Sequence, residues 1–118
     1  CYDLRFPEIF RIGTQKGANL FTVIANWPAL RIEHWVTLLR ARAIENLAYV
    51  VGVNRTGNDP ALEYCGRTIV VDPHGEILVD AGDAETVISA ELDLGALEEW
   101  RKQFPVLEHA RQDFAPGN

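Results

Sequence analysis

The sequence predicts an α/β fold, because segments with helical and strand periodicity alternate along its 118 residues. Residues 19–25 form a nearly continuous β-prone apolar run, which suits a strand covered on both faces. Residues 30–47 carry apolar side chains at helical spacing, which predicts a long helix with one apolar face. A proline and a glycine at 72–75 separate two strand-like segments and predict a hairpin.

Local signals justify the remaining elements in order. Pro7 and Glu8 suit the first turn of a helix, and Gly17 supplies its C-terminal stop. A dense turn cluster at 54–60 ends the strand that follows the long helix. Alternating apolar and polar residues at 85–92 predict a half-covered strand. The predicted elements have these approximate bounds: helix 7–16, strand 19–25, helix 30–47, strand 48–53, strands 67–71 and 76–79, strand 85–92, and helix 94–104.

Composition excludes several partners. The net charge is −6 and the eleven basic residues are scattered, whereas nucleic-acid binding needs clustered Lys and Arg. The apolar stretches are far shorter than the roughly 20 residues of a membrane span, and we expect no membrane partner. Cys1 and Cys65 form neither a disulfide framework nor zinc-ligand spacing. We therefore expect a cytoplasmic protein without a metal.

Cys1 lies just ahead of the predicted first helix. The partial positive charge at a helix start lowers the pKa of a thiol and favours the nucleophilic thiolate. Backbone N–H groups of such a turn can also point at an oxyanion. The same position is compatible with an inert, small hydrophobic side chain. The sequence contains no methionine, and a translation product begins with one, so we expect a processed chain or a fragment.

Ordered motifs resolve these alternatives through a resemblance. They are CYDLRFPE at 1–8, ANWP at 25–28, HW at 34–35, RARAIEN at 40–46, GVNR at 52–55, YCGR at 64–67, VDPHGE at 71–76 and FP at 104–105. Together they cover nearly the whole chain and resemble the nitrilase, or carbon–nitrogen hydrolase, superfamily. The resemblance is greatest to its omega-amidase branch, which hydrolyses short ω-amides of dicarboxylates such as 2-oxoglutaramate.

The resemblance implies a four-layer α-β-β-α sandwich, of which residues 1–118 are the C-terminal part of a single domain. It implies that Cys1 attacks the amide carbon and forms a thioester, that a Lys side chain and the N–H of Tyr2 hold the oxyanion, and that a Glu transfers protons. The reaction needs neither a metal nor a cofactor, and the partner is a small-molecule amide. The complete protein is expected to be at least a homodimer.

The family's Glu and Lys precede the cysteine, so this chain lacks both. Its lysines, Lys16 and Lys102, match neither role, and none of Glu8, Glu33 or Glu45 fills the gap. We therefore expect the chain alone to be inactive. If residues 19–25 form a central strand that the missing half continues, the chain alone also exposes strand edges, and we expect poor solubility.

Asn26 and Trp27 follow a strand at its carboxyl end, where α/β folds place ligands, and they match acyl-pocket positions of relatives. The alternative is a turn residue and a core tryptophan. Arg5 matches a position that grips a substrate carboxylate in some relatives, although Asp3 or Glu8 could instead pair with it. These residues are the candidate substrate contacts.

Other polar residues favour structural roles. We expect Arg42, Glu45 and Asn46 to be buried polar partners that lock the long helix, because charges at a seam between a helix and a sheet must be paired. A packed or hydrogen-bonded state is expected for His34. The remaining histidines and the second cysteine have no predicted chemistry: we expect exposed positions for His74 and His109 and a strand-edge position for Cys65.

Two rival hypotheses remain. In an N-terminal-nucleophile hydrolase, the α-amine of Cys1 would act as the base, since an α-amine titrates near pH 8. The other rival is a truncated homologue without catalysis that serves as a scaffold or dimerisation unit. Blocking the α-amine while sparing the thiol distinguishes the first rival, and a Glu and a Lys encoded ahead of Cys1 would argue against the second.

Overall fold

The computed structural model describes residues 1–111 and 113. In chain order, the elements of this part are a 3₁₀ turn Tyr2–Arg5, α1 Pro7–Gln15, β1 Leu20–Ala25, a 3₁₀ turn Ala29–Arg31, α2 Ile32–Asn46, β2 Tyr49–Asn54, β3 Thr56–Asn58, β4 Glu63–Cys65, β5 Ile69–Val71, β6 Ile77–Asp80, α3 Leu94–Gln103 and a 3₁₀ turn Val106–His109. The predicted α/β class is confirmed. The order of the helices and of the strands to β6 agrees with the sequence, apart from the additional pair β3 and β4.

The strands form one four-stranded sheet and one small hairpin. The sheet has the order β1-β2-β5-β6, and β3 pairs only with β4. β1 and β2 are parallel, whereas the β2–β5 and β5–β6 pairs are antiparallel. Ala25 lies opposite Asn54 at the carboxyl ends of the parallel pair. The two loops that leave these ends therefore start side by side.

One face of the sheet packs against α2. Trp35 and Leu39 of this helix are completely buried. Gly52 of β2 faces them, and a Cβ atom there would lie 2.5 Å from Leu39 Cδ1 and 2.8 Å from Trp35 Cζ2. Glycine is therefore required for this close approach of helix and strand. The buried apolar cluster on this face consists of Leu4, Phe10, Val23, Trp27, Trp35, Val36, Leu39, Ala43, Val50, Ile69 and Val71.

The opposite face of the sheet is largely open. Ile24 of β1 is 75% exposed and Val53 of β2 is 45% exposed. These residues alternate with the buried ones because successive side chains of a strand point to opposite faces. The expectation that residues 19–25 are covered on both faces is therefore wrong for the described chain. Its poor solubility alone stays a prediction.

The predicted strand at 85–92 is wrong. This segment crosses the open face of the sheet beside Val51 and Val70 and encloses a cavity of about 620 Å³ with it. It pairs with no strand of the described residues, and Val87 is 95% exposed. An alternating pattern indicates which side chains would share a face, but a strand also needs a neighbouring backbone to complete its hydrogen bonds.

The local signals at helix ends and at the hairpin are confirmed. Pro7 is the first residue of α1, and Gly17 follows the helix with a φ of +100°. Asp93 caps α3 by accepting a hydrogen bond from the N–H of Ala96 at 2.9 Å. The hairpin turn places His74 on the surface as predicted, where its ring stacks on that of Trp100 with 4.3 Å between the ring centres.

Candidate active site

Cys1 lies at the start of the 3₁₀ turn that precedes α1, and its residue is exposed. The N–H of Leu4 donates to the carbonyl oxygen of Cys1 at 3.3 Å and closes this turn. The first N–H groups of a helical turn have no acceptor within it, so the N–H of Tyr2 is open to an external oxygen. The thiol and a candidate oxyanion donor are thus neighbours along the backbone.

A buried guanidinium holds this turn in place. Arg42 of α2 is 5% exposed and donates to the carbonyl oxygen of Leu4 from Nε at 3.1 Å and from Nη2 at 2.7 Å. Its Nη1 pairs with Glu45 Oε1 at 2.8 Å. Asn46 is fully buried and donates from Nδ2 to the carbonyl oxygen of Arg42 at 2.9 Å. The prediction of paired polar groups is confirmed, but Glu45 is only partly buried, and the bonds join α2 to the turn at Leu4 and to Arg11 of α1 instead of to the sheet. The bonds from Arg42 hold the turn that begins at Cys1.

Cys1 borders three cavities of the described residues, and two of them lie at the carboxyl ends of the parallel strands. One is lined by Cys1, Ile24, Ala25, Asn26, Val53, Asn54 and Arg55. The other is lined by Cys1, Tyr2, Arg5, Asn26, Trp27, Pro28, Arg31 and Leu62. The structure therefore brings all five predicted site residues together. Crevices outside the carboxyl ends of parallel strands are the usual ligand sites of α/β sheets.

Asn54 is a structural residue of the site that sequence reasoning missed. Its side chain is buried, and its Oδ1 accepts from the N–H of Trp27 at 2.7 Å. Its Nδ2 donates to the carbonyl oxygens of Trp27 at 3.1 Å and of Gly66 at 2.8 Å. The amide thus fixes the loop after β1. The sequence signal for this role is an asparagine at the end of an apolar strand, but the composition of residues 54–60 predicts only a turn there.

Trp27 combines a core position with a place beside the thiol. It is 3% exposed, and its Nε1 donates to the carbonyl oxygen of Arg31 at 2.8 Å. The guanidinium of Arg5 lies 4.7 Å from the centre of the Trp27 ring, a cation–π contact. Arg5 Nη2 is 3.5 Å from Nδ1 of His34, which lies on the surface of α2.

The alternative structural partners of Arg5 are not used. Neither Asp3 nor Glu8 forms an ion pair with Arg5 among the residues that the structure describes. The Arg5 guanidinium contacts the Trp27 ring instead of a carboxylate. Arg5 lines the cavity beside Cys1, and a role in binding substrate stays a prediction.

Another arginine, Arg55, lines the cavity that Cys1 shares with Ile24 and Val53. The guanidinium of Arg55 is 4.3 Å from the ring centre of Tyr64. Tyr64 donates from its hydroxyl to Asp59 Oδ2 at 2.7 Å. This hydrogen bond raises the pKa of Tyr64 and, together with N–H groups of Ala61 and Leu62, lowers the pKa of Asp59. The loop beside the site is thus held by several connected contacts.

None of the three cavities beside Cys1 is lined by a lysine or a glutamate of the described chain. Within residues 1–111 and 113, no group of three or more His, Cys, Asp and Glu side chains could hold a metal ion. The same part of the chain contains no helix with the length and apolar character needed to cross a membrane. A reaction without a metal or a cofactor stays a prediction.

Comparison with known proteins identifies the family. The model of the carbon-nitrogen hydrolase family matches residues 1–102. The chain is 44% identical over 113 residues to the 2-oxoglutaramate amidase of Bacillus subtilis, covering 96% of the chain and 44% of that protein. It is 47% identical over 112 residues to the omega-amidase YafV of Escherichia coli K12, covering 93% of the chain and 43% of that protein. The chain therefore belongs to the carbon-nitrogen hydrolase family.

A solved structure supports the same assignment. XC1258 from Xanthomonas campestris, a CN-hydrolase superfamily protein, superposes with a TM-score of 0.89 at 39% identity. The match covers 95% of this chain and 45% of XC1258. The chain thus has the α/β architecture of the nitrilase superfamily. It spans less than half the length of these relatives.

Proposed function

We propose that the complete protein hydrolyses the C–N bond of a short linear amide and releases ammonia and a carboxylic acid. An ω-amide similar to 2-oxoglutaramate is the favoured substrate. The observation that carries the proposal is the position of Cys1, an exposed thiol at the start of a helical turn beside the carboxyl ends of β1 and β2. The amidase names of relatives 44% and 47% identical support the reaction class.

In the proposed reaction, the Cys1 thiolate attacks the amide carbon, and the carbonyl oxygen becomes an oxyanion. The N–H of Tyr2 and a lysine ammonium stabilise that charge. The C–N bond then breaks while a glutamic acid protonates the leaving nitrogen, which departs as ammonia, and an acyl thioester remains on Cys1. The glutamate next removes a proton from water, whose oxygen attacks the thioester, so that the carboxylic acid leaves and the thiolate and the glutamic acid are restored.

The glutamate and the lysine belong to the part of the complete protein that this chain does not span. The chain alone is accordingly proposed to be inactive. Asn26, Trp27 and Arg5 are proposed to contact the substrate, because they line a cavity together with Cys1. Homodimerisation and a cytoplasmic location stay predictions from the resemblance.

The test replaces Cys1 in the complete protein by alanine or serine and measures ammonia release from 2-oxoglutaramate. Both variants should lose roughly 10³-fold or more in kcat, because removal of a nucleophile disables the whole catalytic unit. Mass spectrometry of the rapidly quenched wild-type enzyme should show an acyl adduct on Cys1. Turnover by the Cys1→Ala variant at the wild-type rate would refute the proposal.

The N-terminal-nucleophile alternative makes a different prediction. It requires a free α-amine on the cysteine, whereas the thioester route described above does not. Under the proposed function, a protein that begins at Cys1 should show no turnover, with or without a reversible block on its α-amine. Loss of turnover that returns on deblocking would favour the alternative.

A further inference from the structure

We infer that Arg55 binds the distal carboxylate of the substrate and thereby selects acidic amides. This inference rests on the proposed function and adds a specificity-determining residue to it. The resemblance predicts such a role for Arg5, which shares one cavity with Cys1, whereas Arg55 shares a different cavity with Cys1.

The position of Arg55 follows from the two parallel strands. Arg55 is the residue directly after β2, and its backbone N–H donates at 3.2 Å to the carbonyl oxygen of Ala25, the last residue of β1. It thus lies beside Asn26, which follows β1. Cys1, Asn26 and Arg55 line one cavity, whose other walls include the apolar side chains of Ile24 and Val53. An acyl chain that extends from the thiol into this cavity would therefore share it with Arg55.

The orientation of Arg55 leaves the two Nη groups of its guanidinium, its fork, available to a ligand. One face of the guanidinium stacks on Tyr64, and Nε donates to the carbonyl oxygen of Thr56 at 3.3 Å. Within the described part of the chain, neither Nη group donates to a protein acceptor. Two parallel N–H groups at the end of a supported guanidinium match the two oxygens of a carboxylate. The contacts with Tyr64 and Thr56 hold the fork in place before a ligand arrives.

The charges around Arg55 favour an external anion. Asp59, the nearby carboxylate, accepts hydrogen bonds from Tyr64, Ala61 and Leu62 and forms no close ion pair with Arg55 among the described residues, although the Arg55 charge contributes to the lowered pKa of Asp59. The whole chain carries a net charge of −6, so a cation without a carboxylate partner beside the thiol is a local exception. Attack on an amide needs no such cation, but a carboxylate on the acyl chain loses its hydration in the cavity and requires a charged partner.

The test compares two substrates of equal length in the complete protein. Glutaramate ends in a carboxylate, and pentanamide carries a methyl group in its place. The measured quantity is the ratio of kcat/KM for glutaramate to kcat/KM for pentanamide. The substitution Arg55→Gln should lower this ratio roughly 10- to 100-fold while changing turnover of pentanamide little, because a hydrogen-bonded charge contact is lost. Arg55→Lys keeps the charge without the fork and should restore part of the ratio.

Arg5→Gln serves as the competing variant. A ratio that falls with Arg5→Gln and not with Arg55→Gln would overturn the inference and assign the carboxylate to Arg5. An equal loss on both substrates in Arg55→Gln would also overturn it, because that result indicates a structural role. If the wild-type protein hydrolyses pentanamide, the proposed function stands whatever the ratio shows. A wild-type protein that releases ammonia from neither substrate would refute both proposals.

Discussion

The buried contact between Arg42 and the turn that carries Cys1 allows a quantitative prediction. In Arg42→Met, the carbonyl oxygen of Leu4 loses two charged donors, at 3.1 Å and 2.7 Å. An acceptor left unsatisfied in the interior costs about 1–3 kcal/mol. The lost pair with Glu45 adds only about 0.5 kcal/mol, because the Glu45 side chain is 32% exposed and solvent screens it. We expect a loss of about 3 kcal/mol in the free energy of unfolding.

The loss should also affect chemistry, because the freed Leu4 carbonyl belongs to the turn that begins at Cys1. Urea unfolding of the complete protein measures stability, and the rate of Cys1 alkylation by iodoacetamide measures how well the thiol is positioned. The matched control is Glu45→Gln, which leaves both bonds to Leu4 intact and should cost less than about 1 kcal/mol. The reasoning is refuted if Arg42→Met unfolds within about 0.5 kcal/mol of the wild type, or if the control costs as much.

Two further predictions concern packing and pH. Gly52→Ala should lower the free energy of unfolding by roughly 1–3 kcal/mol, because the new Cβ would overlap Leu39 and Trp35. Thermal unfolding measures this effect, and an unchanged midpoint temperature would contradict the tight packing of helix and strand. Hydrogen bonds from Tyr64 and two backbone N–H groups lower the pKa of Asp59 in the folded state. At pH values above the ordinary pKa of an aspartate, the Asp59 carboxylate therefore stabilises the fold. This contribution disappears as the pH falls through the lowered pKa of the folded state. The stability difference between the wild type and Asp59→Asn should therefore shrink from pH 7 to pH 3 in urea titrations, whereas a constant difference would show that Asp59 is not linked to folding.

The candidate site was predicted mainly from motifs. Cys1, Tyr2, Arg5, Asn26 and Trp27 came from the order of short segments that resemble one family, and the structure places them around two adjoining cavities. Periodicity alone does not distinguish a nucleophilic Cys1 from an inert one, because both kinds of cysteine occur near the start of a helix. Their roles in catalysis and binding remain predictions.

Contacts between distant parts of the sequence explain what was missed. Asn54 holds the loop at Trp27 from 27 residues away, and Arg5 stacks on Trp27 instead of pairing with a neighbouring carboxylate. Arg55 reaches the site only because β1 and β2 run parallel and end together. None of these pairs follows from residue types at short spacing, since each depends on which strands become neighbours.

The sequence by itself determined the elements whose signals are local. α1 begins at a proline, α2 repeats apolar residues every three to four positions, and the hairpin between β5 and β6 turns at a proline and a glycine. Only the tertiary structure decided strand partners: it paired β3 with β4 and left residues 85–92 outside every ladder of the described chain. The physical reason is that helix and turn hydrogen bonds close within a few residues, whereas a strand is completed by a backbone that lies far away in sequence.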